Sequence, residues 1–416
     1  MTHQDLSVPP AGEEEDTVEK LRPRGSNQVG MRQFNERVVL QAIRLHGSLP
    51  KAEIARLTRL TPQTVSLIMA RLEADDLVLK LESVRGKVGQ PSVPIALNPD
   101  GAYAIGIKVG RRSLDVLLVD FAGKVRERLS LNYTFPNPDT VFDEIGTRVK
   151  QLRRSLAPKR RDRLQGVGIA APLSLGGWQK LLGIAPKLAE KWEHIDIGER
   201  VAALSDLPVW FVKDTAAACV AELVAGRGRS IRSFLYIFVD TFIGGGLVID
   251  SHLHRGISGN AGAVGSLALG TATEQAGTPQ QLLSTASLWN LEALYVKAGL
   301  DASAAADERA LDNPWLRQTR RWLDETCPAM ALAIHSAACL LDLEGVIIDG
   351  SFSRPLLEVL LVEVERALDR YSWEGVSRPA VLGGTIGADA RAIGGALLPL
   401  YANFAPDRDL FLKIED

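Results

Sequence analysis

Cysteine is scarce in this chain of 416 residues, and the three cysteines are scattered. Cys219, Cys327 and Cys339 each stand among apolar neighbours, which favours buried free thiols in a reducing cytoplasm over disulfides or a metal cluster. Long apolar runs are also missing, so we expect no membrane span. The N-terminal segment lacks the apolar stretch of a secretory signal, and its acidic, Pro- and Gly-containing composition predicts a disordered tail.

Net charge is small over the whole chain, formally −2, but it is unevenly distributed. Between Lys20 and Pro91, thirteen lysines and arginines stand against six acidic residues, which gives this segment a charge of +7. The remainder of the chain is therefore near −9. A basic module attached to an acidic body fits binding to nucleic acid through the module alone.

Residues 51–72 have the pattern of two short helices separated by a tight break, with apolar side chains at helical spacing in each. Thr61 and Pro62 predict the start of the second helix, because a hydroxyl at the N-cap precedes a proline at the first helical position. This pattern favours a helix-turn-helix whose second helix presents polar side chains to base edges. An ordinary helical hairpin inside a larger core is the alternative.

The flanking segments favour the helix-turn-helix. An amphipathic helix is predicted over residues 32–46, and two β-like runs, residues 77–81 and 93–97, enclose a basic tip that contains glycine and proline. Such a hairpin describes a wing, in which Arg85 and Lys87 would meet phosphates or a narrow minor groove. A solvated hairpin turn is the alternative for this tip.

The candidate DNA contacts follow from this arrangement. We predict that Gln63, Thr64 and Ser66 contact bases, and that arginines and lysines around them contact phosphate or the minor groove. The complete set of candidate DNA-binding residues is Arg59, Thr61, Gln63, Thr64, Ser66, Arg71, Arg85 and Lys87.

The rest of the chain predicts a duplicated α/β body. After a turn at residues 98–101, three consecutive strands lead to a helix and a further strand, and the same order recurs later in the chain. We therefore expect two lobes with a cleft between them. The predicted division is a disordered tail (1–29), a winged helix-turn-helix domain (30–98), a first lobe (99–215) and a second lobe (216–416), whose last helix packs back on the first lobe.

Several segments together resemble the ROK family of repressors, open reading frames and sugar kinases, and specifically its repressor branch. They are residues 25–28, 35–37, 86–91 running into 97–99, 241–246, 256–265 and 392–396. The resemblance implies an N-terminal winged helix-turn-helix followed by a ribonuclease-H-like, actin/hexokinase-like two-lobed body. It also implies a cleft that binds a sugar.

The chain departs from the kinases of that family at both phosphate loops. The first loop has Lys108 and then Gly110-Arg111-Arg112 where a kinase would have an acidic residue and a Gly-Gly-Thr turn. Side chains there prevent the close backbone approach to phosphate that glycine permits. The second loop has Asp240-Thr241-Phe242, which we expect to repel and obstruct a triphosphate. We therefore predict that the chain is not an enzyme and transfers no phosphoryl group from ATP.

On the sugar-binding side of the cleft, some residues match the family pattern and others do not. Asp214 matches the family's catalytic base, but the amides that flank that base in the family are replaced here. Its carboxylate can accept hydrogen bonds from a sugar hydroxyl without chemistry, or can act as the N-cap of the following helix, and the two roles are compatible. The family's zinc cysteines are absent between residues 267 and 279, so neither zinc nor another cofactor is expected.

The remaining candidate effector-binding residues line the predicted cleft. They are Lys187, Lys213, Asp214, Thr241, Asn260 and Ser266. Lys187 and Lys213 stand where the family has asparagines, which suggests an anionic ligand such as a sugar acid or phosphate; two solvated surface lysines are the alternative. His252 and His254 are expected on an exposed β-hairpin.

These observations predict a cytoplasmic, sugar-responsive transcription regulator, most simply a repressor of carbohydrate uptake or catabolism genes. Its partners would be a double-stranded DNA operator and a small sugar or sugar derivative, with no membrane. Symmetric assembly as a homodimer or homotetramer would present paired winged helices to a pseudo-palindromic operator. A sugar kinase with an appended DNA-binding domain, and a regulator whose body is only a dimerisation scaffold, are the alternatives.

Overall fold

The N-terminal unit combines three helices with a small antiparallel sheet. A computed structural model of the chain describes residues 28–83, 92–177, 185–273 and 277–406. Its first elements are α1 (Gln28–His46), β1 (Ser48–Leu49), α2 (Lys51–Thr58), α3 (Pro62–Ala74), β2 (Val78–Lys80) and β3 (Ile95–Leu97). Strand β3 pairs with both β1 and β2, in the order β1-β3-β2. No helix among these described residues is long and apolar enough to span a membrane.

The start of α3 agrees with the prediction from the sequence. Thr61 is the N-cap residue, its side chain accepts a hydrogen bond from the Thr64 backbone N–H at 3.1 Å, and Pro62 follows as the first helical residue. Helix α1 begins at Gln28, so the last two residues assigned to the tail belong to a helix. Residues 1–27 and the predicted wing tip with Arg85 and Lys87 lie outside the described residues.

The first lobe is built on a five-stranded sheet in the order β6-β5-β4-β7-β8. Its strands are β4 (Tyr103–Val109), β5 (Ser113–Asp120), β6 (Val125–Asn132), β7 (Leu164–Ala171) and β8 (Val209–Lys213). Its helices are α4 (Pro138–Ser155), α5 (Pro158–Arg161), α6 (Pro186–Glu193) and α7 (Ile197–Ala202). Strands β4, β7 and β8 run parallel, so their carboxyl ends share one edge of the sheet.

The second lobe repeats this topology, with the sheet order β11-β10-β9-β12-β13. Its strands are β9 (Phe234–Val239), β10 (Gly244–Ile249), β11 (His252–His254), β12 (Gly345–Gly350) and β13 (Ala380–Gly383). Helix α8 (Asp214–Ala225) precedes β9. Helices α9 (Leu283–Ala286), α10 (Leu288–Lys297) and α11 (Leu316–Leu341) lie between β11 and β12, α12 (Arg354–Leu368) lies between β12 and β13, and α13 (Ala390–Phe404) follows β13. In both sheets the first strand is central, with two strands added by antiparallel pairing on one side and two added by parallel pairing on the other. The predicted duplicated α/β body is confirmed.

The last helix, α13, crosses between the lobes and packs against α8, β4 and β7. Glycines make this approach possible. A Cβ added at Gly394 would lie 1.7 Å from the Ala217 backbone oxygen, and one added at Gly168 would lie 1.9 Å from the Gly395 oxygen. The backbones of α13, α8 and β7 are therefore in direct contact, which no larger residue would permit.

The N-terminal unit shares its hydrophobic core with the body. Val39 and Ile43 of α1 belong to one buried cluster together with Phe121 of the first lobe and Leu397 and Leu400 of α13. The guanidinium of Arg44 lies 5.3 Å from the centre of the Phe121 ring. The turn at residues 98–101 therefore separates the two parts along the sequence but not in the core.

Three local predictions require correction. Cys339 is exposed, while Cys219 and Cys327 are buried, because Cys339 lies near the end of α11 beside Leu340, which is 83% exposed. Asp214 was expected as an N-cap, but it is the first helical residue and Lys213 occupies the N-cap position. The boundary expected between residues 215 and 216 accordingly falls inside α8. Strand β10 starts at Gly244, and its first two glycines pair with Phe238 and Ile237 of β9.

Candidate functional site

The outward face of α3 is the first candidate surface. Val65, Ile68, Met69 and Leu72 are buried against α1 and α2. Gln63 and Ser66 are exposed on the other side, and in the described part of the chain their side chains form no hydrogen bond. Leu67, which the sequence analysis did not select, lies on the same face and is 57% exposed.

The other predicted DNA contacts on α2 and α3 differ in availability. The hydroxyls of Thr61 and Thr64 are hydrogen-bonded to each other at 2.8 Å, at the helix start. Arg71 forms an ion pair with Glu36 of α1 at 3.1 Å, which joins α3 to α1. Arg59 is exposed and ends α2 in the left-handed conformation, with φ of 56°. Gln63, Ser66 and Arg59 are therefore the predicted residues whose polar groups point to solvent without a described partner.

The junction between this unit and the body is polar as well as apolar. Arg229, which follows α8, donates hydrogen bonds to the carbonyl oxygens of Arg44 and Leu45 at the end of α1. A cation at the C-terminus of a helix is favourable because the last carbonyl groups lack partners within the helix. Arg163, just before β7 of the first lobe, forms an ion pair with Asp76, which follows α3, at 2.8 Å.

The cleft between the lobes is the second candidate site, and side chains from the two predicted phosphate loops meet across it. The guanidinium of Arg111, after β4, lies 4.8 Å from the centre of the Phe242 ring, after β9. Arg112 donates two hydrogen bonds of 2.6 Å to the carboxylate of Glu292 on α10. Its guanidinium also lies 6.0 Å from the Trp289 ring. The space between the two loops thus holds contacts that join the lobes.

A buried ionic cluster lies behind these contacts. Arg391 of α13 forms an ion pair with Asp240, and its Nη1 lies 3.6 Å from Asp214 Oδ2. Burial raises the pKa of Asp240, but the charges of Arg391 and Lys108 outweigh burial and hold that pKa below its ordinary value. The charge of Asp240 is therefore neutralised inside the protein. Because Asp240 is paired with Arg391, the expected repulsion of a triphosphate by this residue stays a prediction, as does obstruction by Phe242.

Lys108 belongs to the same cluster. Its ammonium group donates to Ser113 Oγ at 2.7 Å and to Asp115 Oδ2 at 3.0 Å. Burial and the nearby Arg391 lower the pKa of Lys108, whereas Asp115 and Asp240 oppose this effect. The cluster therefore joins both lobes and the last helix around groups that are largely shielded from water.

Only part of the predicted effector set is brought together. Lys213 Nζ donates to Asn260 Oδ1 at 2.9 Å, next to Asp214. Thr241 is buried between Asp240 and Phe242, and its carbonyl oxygen accepts a hydrogen bond from Trp289 N. Ser266 and Lys187 are exposed, and no described contact links either of them to Lys213 or Asp214.

Sequence reasoning did not identify Arg391 as a cleft residue. The signal was present, because it is a single charged residue within an otherwise apolar helix, and such a residue is seldom buried without a partner. Its partners could not be inferred, since Asp214 and Asp240 lie more than 150 residues away in the sequence. Glu292 and Trp289, which meet Arg112, gave no comparable signal.

Comparison with known proteins shows which family this chain is similar to. A model of the ROK family matches residues 104–400. The xylose repressor of Bacillus subtilis (strain 168) is 25% identical over 248 residues, which cover 59% of this chain and 62% of that protein. The chain thus matches about three fifths of the length of this curated relative.

Solved structures agree with the fold. A ROK family transcriptional regulator, a homologue of the E. coli MLC protein, superposes with a TM-score of 0.64 at 20% identity, covering 90% of this chain and 98% of that chain. A ROK family glucokinase from Streptomyces griseus, in complex with glucose and AMPPNP, gives a TM-score of 0.56 at 20% identity and covers 71% of this chain and 99% of that chain. The family thus contains both regulators and sugar kinases with this body.

Proposed function

The chain belongs to the ROK family, and we propose that it is a sugar-responsive, DNA-binding transcriptional repressor with a non-catalytic effector domain. The observation that supports this proposal is the N-terminal unit, in which a short turn joins α2 to α3 and β2 pairs with β3, as expected of a helix-turn-helix and the base of a wing. A repressor and a regulator among the similar proteins support the same function.

The DNA-binding surface is the outward face of α3. Gln63 and Ser66 are exposed there and have no described intramolecular partner, so they are available for base edges in a major groove. Arg59 at the end of α2 would contact the phosphate backbone, with Arg85 and Lys87 of the wing tip as further cations. Thr61 and Thr64 would shape the helix start, and Arg71 would keep α3 attached to α1.

The effector would bind in the interlobe cleft without being phosphorylated. Phosphoryl transfer depends on backbone and cationic groups that surround the triphosphate, and here Arg111, Phe242, Arg112 and Glu292 fill the space between the loops with contacts between protein groups. Asp214, which matches the family's catalytic base, lies close to Arg391 and is suited to accept hydrogen bonds from ligand hydroxyl groups.

Helix α13 would couple the two sites. Arg391 near its start belongs to the cleft cluster, whereas Leu397 and Leu400 pack with α1 of the DNA-binding unit. An effector that moves the lobes would therefore displace the helix on which the DNA-binding unit rests. Such coupling requires that the effector bind two arrangements of the lobes with different affinity.

We also propose symmetric assembly as a homodimer or homotetramer in the cytoplasm. Two recognition helices related by two-fold symmetry would occupy half-sites of a pseudo-palindromic operator about one helical turn of DNA apart, or multiples of that spacing.

Selection of bound duplexes from a random library, followed by titration of the selected site, tests the DNA-binding proposal. Gln63→Ala should weaken specific binding about tenfold, because one good base contact contributes roughly 1–3 kcal/mol of discrimination. Gln318→Ala, on α11 of the second lobe, is the matched control and should bind like the unmodified protein. Failure to select any sequence, or equal binding by both variants, would contradict the proposal.

The kinase alternative predicts a different result. A sugar kinase would consume ATP in the presence of its sugar, and Asp214→Asn would abolish that consumption. We expect no sugar-dependent ATP consumption across pentoses, hexoses and amino sugars. Sugar-dependent ATP consumption that is lost in Asp214→Asn would replace the non-catalytic assignment with an enzymatic one.

A further inference from the structure

The positive charges of the cleft are unequally neutralised. Lys108 has Asp115 as a partner at 3.0 Å, and Arg391 is paired with Asp240. Lys213 donates only to Asn260, a neutral acceptor, and among the described residues no carboxylate lies within ion-pair distance of its ammonium group.

Arg111 is in a similar position. Its Nη2 donates to the Ser174 carbonyl oxygen at 3.2 Å and its guanidinium faces Phe242, but no described carboxylate forms an ion pair with it. Its Nε is buried and has no hydrogen-bond partner in the described part of the protein. Two cations of the same cleft thus have no paired anion among the residues that the structure describes.

Lys213 ends one strand and Arg111 follows another at the same edge of the first sheet. In the register of the parallel strands, Lys108 lies beside Ala170, and Lys213 lies beside Ala171 at the end of β8. Strand β4, whose following turn carries Arg111, is therefore two strand spacings, roughly 10 Å, from β8, which ends at Lys213. This edge, at the carboxyl ends of parallel strands, is where ligands bind in open α/β sheets.

The electrostatic balance here favours an anion over a neutral ligand. Burial lowers the pKa of both Lys213 and Arg111, while the nearby Asp214 opposes this effect without cancelling it. A neutral sugar would remove more water from these cations and supply no charge. An anionic ligand would supply the missing charge and form charge-assisted hydrogen bonds.

We propose that the effector is an anionic carbohydrate derivative, a sugar carboxylate or sugar phosphate, whose charged group binds between Lys213 and Arg111. Asp214 and Asn260 would then accept and donate hydrogen bonds to its hydroxyl groups. This inference rests on the proposed function, because it names the ligand class of the same effector site. It separates this chain from a regulator that responds to an uncharged sugar.

Thermal unfolding and calorimetric titration of the full chain test the ligand class. The probes are D-gluconate, D-xylonate, D-glucose 6-phosphate and D-xylose 5-phosphate, against D-glucose and D-xylose, with acetate and inorganic phosphate as anions without a sugar. At least one sugar acid or sugar phosphate should bind at least tenfold more tightly than its neutral parent, and the two groups of probes distinguish carboxylate from phosphate. Equal or tighter binding of a neutral parent, or binding of no sugar-derived anion, would overturn the proposal.

Variants locate the anionic group. Lys213→Asn should weaken the preferred acidic probe at least tenfold and reduce the salt dependence of its binding, while Lys213→Arg should retain part of the affinity. Lys150→Asn, an exposed lysine on α4, is the matched control and should bind like the unmodified protein. If Lys213→Asn binds the acidic probe as tightly as the control, the assigned position is wrong.

Binding of the selected DNA site, measured on the same preparations, keeps the two hypotheses apart. Intact sequence-specific DNA binding together with neutral-sugar preference would refute the anionic effector and leave the repressor proposal in place. Acidic-probe binding without any sequence-specific DNA binding would refute the repressor proposal and leave the assigned ligand class in place.

Discussion

At the scale of single residues, Arg391 joins two acidic side chains in the cleft. It is 7% exposed and holds two acidic side chains that approach it from different elements, Asp214 at the start of α8 and Asp240 after β9. Without the arginine, two carboxylates would face each other in a site that is largely shielded from water. A buried ion pair adds little net stability, but removing one partner is costly because the other charge remains buried.

We therefore predict that Arg391→Met lowers the free energy of unfolding by about 3–5 kcal/mol at neutral pH. In the unmodified protein the pKa of Asp240 is depressed, so its stabilising contribution is present above about pH 4 and is lost as the pH falls through the folded-state pKa. The variant should lose this acid dependence. Urea unfolding between pH 2.5 and 7 measures both effects.

The double variant Arg391→Met/Asp240→Asn provides the control. Removing the acidic partner as well should restore much of the stability, since the uncompensated charge is then absent. If the double variant is less stable than Arg391→Met, the two residues are not coupled as an ion pair.

At the scale of elements, α3 and α13 are each specialised on one face. On α3, Leu67 lies exposed beside Gln63 and Ser66, and an exposed leucine on the face proposed to bind DNA is suited to contact a thymine methyl group. On α13, small residues permit backbone contact with α8. The first face would bind DNA, and the second fixes the geometry of the body.

For α3 we predict that Leu67→Ala weakens operator binding modestly. The test replaces single thymines of the selected operator with uracil, which removes only the methyl group. At the contacted position this change should weaken binding by the unmodified protein about fourfold, corresponding to roughly 0.8 kcal/mol for one buried methyl group.

The same substitution of uracil should have no effect on binding by Leu67→Ala. Val362→Ala, at a half-exposed valine on α12, serves as the control and should retain the methyl effect. A methyl effect of the same size in Leu67→Ala would exclude contact between Leu67 and thymine.

For α13 we predict opposite outcomes at two helical glycines. Gly394→Ala should destabilise the protein by at least about 1–3 kcal/mol, because the added methyl group would overlap the Ala217 backbone oxygen and push α13 away from α8. Gly146→Ala in α4 should stabilise it by up to about 1 kcal/mol, since its nearest neighbour, a Leu204 methyl group, would be 3.8 Å away.

Chemical denaturation of both glycine variants measures the difference. Equal stability of the two would mean that α13 and α8 do not require this close approach. Loss of operator binding in Gly394→Ala, with the fold retained, would further support α13 as the link to the DNA-binding unit.

At the scale of the whole molecule, the lobes are joined by a partly exposed ion pair as well as by the buried cluster around Arg391. Arg112 is 46% exposed in its side chain and pairs with Glu292 of the other lobe. Partly exposed ion pairs contribute about 0–1 kcal/mol, so this contact is strong enough to bias the cleft and weak enough to be broken by a ligand. Effector binding would change the balance between closed and open lobes.

We predict that Arg112→Glu opens the cleft with little loss of stability, because the two acidic side chains at positions 112 and 292 would then repel each other. Small-angle X-ray scattering should show a larger radius of gyration than for the unmodified protein. The charge swap Arg112→Glu/Glu292→Arg should restore the original value. If the swap stays as open as the single variant, this ion pair does not hold the lobes together.

The sequence predicted some local features and missed others for identifiable reasons. The start of α3 was predictable because Thr61 and Pro62 act within one turn of helix. The duplicated body was predictable because each strand and turn leaves a local pattern. The roles of Arg391 and Glu292 were not, since each depends on partners brought together by folding. Burial of Cys339 was predicted wrongly, because apolar neighbours in the sequence do not reveal which side of a helix faces solvent.

The sequence by itself determined the order of the elements, the basic N-terminal module, the helix-turn-helix pattern and the two altered phosphate loops, since these depend on neighbouring residues. Only the tertiary structure decided that Arg111 meets Phe242, that Arg391 neutralises Asp240, and that the N-terminal unit and α13 share one core. The physical reason is that charge balance and close packing depend on distances in space. Those distances arise only when segments far apart in the chain pack together.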